Sequence, residues 1–198
     1  NGIHHRAESF GDAYELPNHK AYCETCATIA TMMLGWRLLL ATGQSRFADV
    51  IERALYNGVL SGVGRDFASW FYDNRLAGNG GIHRTPWYRT ACCPPNVMRT
   101  LATLEQLIAT TDDRGVQVHQ YTASRIAAQT GSAGRLTLDV RTEYPWSGLV
   151  RFEVLESDGH DLSLSLRQPG WCERITIKVN GQAQKVDRDA DGYLWYQG

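Results

Sequence analysis

The sequence carries almost no net charge. Twenty Lys and Arg stand against 21 Asp and Glu, leaving −1, so no electrostatic field draws the chain to nucleic acid or to an anionic membrane surface. No apolar run reaches the length of a membrane span; residues 29–41 come nearest, and Arg37 interrupts them. The opening residues are not expected to form a signal peptide, and no internal repeat or low-complexity tether is visible. The first residue is Asn1 rather than Met, and a polar, motif-like stretch follows at once, which reads as a piece of a longer protein. Cysteines are few and odd in number: Cys23, Cys26, Cys92, Cys93 and Cys172. That is a poor disulfide framework, and adjacent cysteines rarely bridge each other. Reduced thiols are expected, in a reducing, cytoplasmic compartment or under the protection of a metal.

What is present fits a globular chain: 43% hydrophobic and 21% charged residues over 198 positions, enough for one ordinary domain or two small ones. Up to about Gly115 the apolar residues recur at helical spacing. Ile29, Met32, Met33, Trp36 and Leu40 form one stripe in a helix over 21–41, which Gly43 is placed to end. Phe47, Val50, Ile51, Ala54, Leu55 and Val59 form another over 45–60, with Ser45 as N-cap. A third helix is expected over 95–109, with Val97, Leu101, Leu104 and Ile108 on one face. Residues 62–91 between them are irregular. Beyond Gly115 the period falls to two, around Val116, Leu136, Leu164 and Ile177, and Asn180-Gly181 is a hairpin turn. Short strands with frequent turns read as a β-sandwich. The expectation is an α+β chain divided at a turn, 1–114 and 115–198.

Three segments carry chemistry: Glu8, Cys23-Glu24-Thr25-Cys26, and Cys92-Cys93-Pro94-Pro95-Asn96. Cys23 and Cys26 have the spacing of a zinc or a redox pair, but the strand–helix–strand setting of a redox pair is missing. Four cysteines holding a structural zinc is a second reading, although paired zinc-knuckle cysteines are normally separated by two or more residues. Two inert buried thiols at 92 and 93 is a third. Cys92 and Cys93 lie just before a helix expected to start near Pro94 or Pro95, whose N-terminus favours thiolate there. The histidines His4, His19, His83, His119 and His160 show no ligand spacing. Trp87 is either a sugar-stacking ring or a loop anchor.

AESF around Glu8, YELPN at 14–18, AYCETC at 21–26, ALYNG at 54–58 and ACCPPN at 91–96 resemble glycoside hydrolase family 127, the β-L-arabinofuranosidases. Pro169-Gly170-Trp171 and Val179-Asn180-Gly181 extend the likeness through the β region. The resemblance implies the end of an (α/α)6 barrel over 1–114, followed by an antiparallel β-sandwich. It implies one zinc held by Glu24, Cys26, Cys92 and Cys93, with Cys92 also the nucleophile and Glu8 the general acid/base of a retaining glycosidase. Tyr72 and His5 fall where the family contacts its substrate. Cys23 and Cys172 have no role in this scheme. The Cys92 sulfur and Glu8 are then expected about 5–5.5 Å apart, as in retaining carboxylate pairs. The implied partner is a small molecule or oligosaccharide containing L-arabinofuranose, without nucleic acid or membrane, and a homodimer is compatible with it. A related plant-wall glycosidase of other sugar specificity, or a non-catalytic zinc-stabilised carbohydrate-binding module, is the alternative. With the earlier barrel helices absent, this stretch alone is expected to have little or no activity.

Overall fold

The computed structural model describes residues 3–4 (backbone only), 9, 12–15, 18, 21–130, 134–158 and 163–197. Glu8 and His5 lie outside them. The chain is a mixed α+β protein that divides into two compact units, residues 1–41 with 49–103, and residues 42–48 with 104–198.

In the first unit β1 (Ile3–His4) pairs antiparallel with β2 (Tyr22–Cys23). Helix α1 (Thr25–Thr42) follows directly, and α2 (Ser45–Ala54) comes after a short turn, its residues 45–48 counted with the second unit and 49–54 with the first. Ile29, Met32 and Leu39 of α1 are each at most 3% exposed, and each such burial contributes about 1.5–3 kcal/mol. The 18 residues of α1, mean hydropathy 1.3, are long and apolar enough to cross a membrane, which the reading of residues 29–41 missed by starting too late. Ile29, Met32 and Leu39 bury one stripe of α1, while Met33, Leu34 and Leu40 are exposed. Gly43 follows it at φ +72, the left-handed conformation that ends a helix without the cost a Cβ would bring.

The helix expected over 45–60 loses α geometry after Ala54. Residues Leu55–Val59 form a π turn and Leu60–Gly62 a 3-10 turn. Within the π turn, a Cβ at Gly58 would collide with the Thr28 side chain, so this segment closes onto α1 only at a bare backbone. Residues 63–91 are held by isolated bridges, Val63 to Trp70 and Trp70 to Thr85.

Helix α3 (Cys93–Ala102) begins earlier and ends sooner than its apolar spacing predicts. Leu104 falls in a 3-10 turn (Leu104–Leu107), and Ala109–Thr111 is strand β3. Thr110 and Thr111 are β-branched and pair with the following strand instead of extending the helix.

In the second unit, β4 (Gly115–Val118), β8 (Ser163–Arg167) and β11 (Tyr193–Gln197) join β3 in the order β11-β8-β4-β3. Strands β5 (Ser124–Thr130), β6 (Gly134–Thr142) and β7 (Val150–Ser157) form a separate antiparallel meander. The four-stranded sheet departs from the antiparallel expectation, because β4 and β8 run parallel; the meander is the crossover between them. A Cβ at Gly115 would strike the Ser163 backbone, so this pairing requires glycine. Val116, Val118, Tyr121, Ala128, Leu136, Leu138 and Leu166 make the core. Asn180 and Gly181, at φ +50 and +83, turn β9 (Ile177–Val179) into β10 (Gln182–Gln184) as the sequence predicts.

His119 sits in this unit, 4% exposed. Its Nδ1 lies 2.6 Å from the Tyr193 hydroxyl and its Nε2 2.8 Å from Thr110 Oγ1. Burial, and secondarily the charge of Arg167, pull its pKa down to about 4.

Candidate metal centre

The site is built where extended backbone turns into helix at two places. Glu24 still pairs as strand, bridging to Asp73, and helix α1 starts at the next residue. Segment 71–74 clamps this change of direction. The Thr25 N–H donates to the Tyr72 carbonyl at 3.0 Å, and the Thr25 hydroxyl donates to the Phe71 carbonyl at 2.9 Å. Asn74 Nδ2 donates to Thr25 Oγ1 at 2.8 Å and to the Gly58 carbonyl at 3.1 Å. The Cys23 N–H donates to Asp73 Oδ1 at 2.9 Å, and the Asn74 N–H to the Cys23 carbonyl at 2.8 Å. Glu24 and Cys26, which would diverge on a regular helix, thereby converge.

The second place is the start of α3. Cys92 is its N-cap and Cys93 its first residue, with Pro94 and Pro95 in the first turn, where a missing N–H costs little. Pro94 is buried and Val97 is 1% exposed, which fixes the helix and with it both sulfurs.

One oxygen of Glu24 and the sulfurs of Cys26, Cys92 and Cys93 all lie within 4.8 Å of one another. The sulfurs of Cys26 and Cys93 are 3.3 Å apart, those of Cys92 and Cys93 3.8 Å. Glu24 Oε1 is 3.5 Å from the Cys92 sulfur and 3.9 Å from that of Cys93. A tetrahedral zinc with metal–sulfur bonds of about 2.3 Å and a metal–oxygen bond of about 2.0–2.2 Å needs donor separations of about 3.5–3.8 Å. The donors fit zinc in number and kind, and the four separations of 3.3–3.9 Å lie within a few tenths of an ångström of that range. Burial pushes the Cys26 thiol up to about 11 and the Cys93 thiol further up, so thiolates here need a positive partner among them.

Glu24 and Cys93 are buried, while Cys92 is only partly so. The Tyr72 hydroxyl is 3.3 Å from the Cys92 sulfur. That contact, then burial, raises the Tyr72 pKa and keeps the phenol neutral. Tyr72 is held in turn by Tyr88, whose hydroxyl accepts the Tyr72 N–H at 2.9 Å and donates to the Trp70 carbonyl. The two rings meet edge to face at 5.5 Å.

The structure thus brings together Glu24, Cys26, Cys92, Cys93 and Tyr72. Cys23 is buried in β2 and is not in the donor group. Cys172 lies in the other unit, its sulfur on the Arg174 carbonyl at 3.2 Å. Trp87 is 57% exposed. Residue spacing gave Asp73 and Asn74 no part in the site, and gave neither Tyr88 nor Asn96, which closes the Cys92–Asn96 segment, a role in holding the donors. Only Asn96 left a usable signal: four residues beyond Cys92 is one helical turn.

Comparison with known proteins gives these groupings a family. Residues 1–106 match the GH127 β-L-arabinofuranosidase catalytic domain, and residues 115–197 the GH127 middle domain. A non-reducing end β-L-arabinofuranosidase of Bifidobacterium longum subsp. longum is 34% identical over 98% of this chain and 31% of its own length. A solved GH127 β-arabinofuranosidase superposes with a TM-score of 0.90 at 36% identity, covering 100% of this chain and 33% of that one. A GH127 β-L-arabinofuranosidase from Geobacillus stearothermophilus T6 gives 0.88 at 33% identity, covering 96% of this chain and 32% of that one. The chain spans about a third of the length of these relatives. Matched over both of its parts, and carrying three sulfurs and a carboxylate in one cluster, the chain belongs to glycoside hydrolase family 127.

Proposed function

We propose that the protein is a retaining glycoside hydrolase that removes β-L-arabinofuranosyl residues from non-reducing ends, with Cys92 as nucleophile and Glu8 as general acid/base. The observation that carries this reading is the partly exposed Cys92 sulfur at a helix N-terminus, set among Glu24, Cys26 and Cys93. Residues 1–114 then form the closing part of an (α/α)6 barrel and 115–198 a β-sandwich, with His5 and Tyr72 facing the sugar.

Glu24, Cys26, Cys92 and Cys93 would hold one zinc. When bound, zinc supplies the positive charge that keeps these sulfurs thiolate at neutral pH. The Cys92 sulfur attacks the anomeric carbon, and the bond to the leaving oxygen breaks as the Glu8 carboxyl protonates that oxygen. A thioglycoside joins sugar and Cys92. The Glu8 carboxylate next takes a proton from water, whose oxygen attacks the same carbon. The carbon–sulfur bond breaks, and the electron pair returns to Cys92 as Glu8 regains its proton. Two inversions at one carbon retain the configuration. The neutral Tyr72 hydroxyl, 3.3 Å from that sulfur, orients the attacking lone pair.

The test uses the full protein with Glu8→Gln and a β-L-arabinofuranoside bearing a leaving group that needs no acid. The expected result is a pentosyl adduct mapped to Cys92. Turnover with the adduct on another residue, or with inversion, contradicts the reading.

A further inference from the structure

Asn96 lies in the first turns of α3, its N–H on the Cys92 carbonyl at 3.1 Å and its carbonyl taking the Thr100 hydroxyl at 2.8 Å. Among the described residues its side chain makes two hydrogen bonds. Oδ1 accepts from Arg99 Nη2 at 2.7 Å, and Nδ2 lies 3.1 Å from the Cys26 sulfur. A guanidinium only donates, so Arg99 fixes which end of the amide is oxygen. The N–H end is left facing Cys26.

We propose that Asn96, oriented by Arg99, is a positioning residue of the metal centre. Its amide holds the Cys26 sulfur toward Glu24, Cys92 and Cys93 and draws off part of that sulfur's negative charge. This rests on reading those four donors as a zinc site. Three thiolates around one cation repel one another, and the Cys26 and Cys93 sulfurs lie 3.3 Å apart, nearer than the 3.8 Å between Cys92 and Cys93. A donor aimed at one of the two relieves that repulsion without entering the coordination shell. Because Asn96 is one helical turn beyond Cys92, α3 presents two ligands and the group that supports a third. The exposed Arg99 completes the set.

Asn96→Asp keeps the shape of the side chain and its bond to Arg99 but puts an oxygen against the sulfur. Asn96→Ala removes both contacts. In the full protein stripped of metal, with cobalt(II) as the probe, the parent is expected to show a thiolate-to-cobalt charge-transfer band. Both variants are expected to bind cobalt at least about tenfold more weakly in chelator competition. Their band moves to lower energy, because a sulfur deprived of its N–H partner gives up an electron more readily. Arg99→Ala shows the same shift in part, and its exposed position keeps it folded if Asn96→Asp is not. A purely structural Asn96 would lower the melting temperature and leave the band in place. An unmoved band with unchanged affinity in Asn96→Asp, or an unmoved band in Arg99→Ala, overturns the proposal. A parent without any such band overturns the zinc reading beneath it.

Discussion

The sulfurs of Cys26 and Cys93 lie 3.3 Å apart although 67 residues separate them in the chain. One opens α1 and the other opens α3, so whatever binds between them ties the two helices together. Zinc added back to chelator-treated protein is expected to raise the melting temperature. At free zinc a thousand times its Kd the gain is about 4 kcal/mol. Cys26→Ser and Cys93→Ser abolish the gain, whereas Cys23→Ser keeps it, because Cys23 lies outside the donor group. Calorimetry with and without zinc checks each case.

Cys92 differs from the other donors in being proposed to react as well as to bind. Cys92→Ala is expected to lower kcat by at least about a thousandfold. A far-UV spectrum like that of the parent separates lost chemistry from lost fold. A zinc-stabilised module without catalysis would give no turnover in the parent either.

Asn74 carries two hydrogen bonds that lock the start of α1 against segment 71–74 and against Gly58. Asn74→Ala leaves Thr25 Oγ1 and the Gly58 carbonyl each short of a donor, at a cost of about 1–3 kcal/mol. Denaturant unfolding is expected to show that loss. Zinc affinity is expected to fall with it, since Glu24 and Cys26 flank Thr25.

His119 makes the second unit acid-sensitive. Its pKa is about 4 when folded, against an ordinary 6.5. Between these values the unfolded chain binds a proton that the folded chain refuses, so stability falls as pH drops from about 6.5 toward 4, by on the order of 3 kcal/mol in all. Below 4 both forms are protonated and the trend stops. Hydrogen exchange at β4 and β8 as a function of pH measures it, and His119→Gln is expected to flatten that part of the profile.

Much of this was legible in residue order. The alternating strands beyond Gly115, the end of α1 at Gly43 and the Asn180-Gly181 turn follow from local rules, whereas the first strand of the sheet begins earlier, at Ala109. Spacing failed where a distant partner decides the backbone. Gly58 must lie against Thr28, which no count of apolar residues in 45–60 reveals, and the regular helix gives way to a π turn. Leu104 and Ile108 keep helical spacing, yet the β-branched Thr110 and Thr111 are drawn into a sheet. The parallel run of β4 beside β8 depends on a crossover of more than 40 residues and leaves no periodic trace. In the site, the donors themselves were visible as Cys and Glu in recognisable strings. Asp73, Asn74 and Tyr88, which aim them, are ordinary loop residues until the chain folds.

The central claim is that one carboxylate oxygen and three sulfurs, excluding Cys23, hold a single zinc. X-ray absorption at the zinc edge of the full protein, with metal stoichiometry measured on the same sample, tests it most directly. The expected result is one zinc per chain with three sulfurs at about 2.3 Å and one oxygen at about 2.0–2.2 Å. A shell of four sulfurs, a shell containing nitrogen, or a chain that retains no zinc would contradict it.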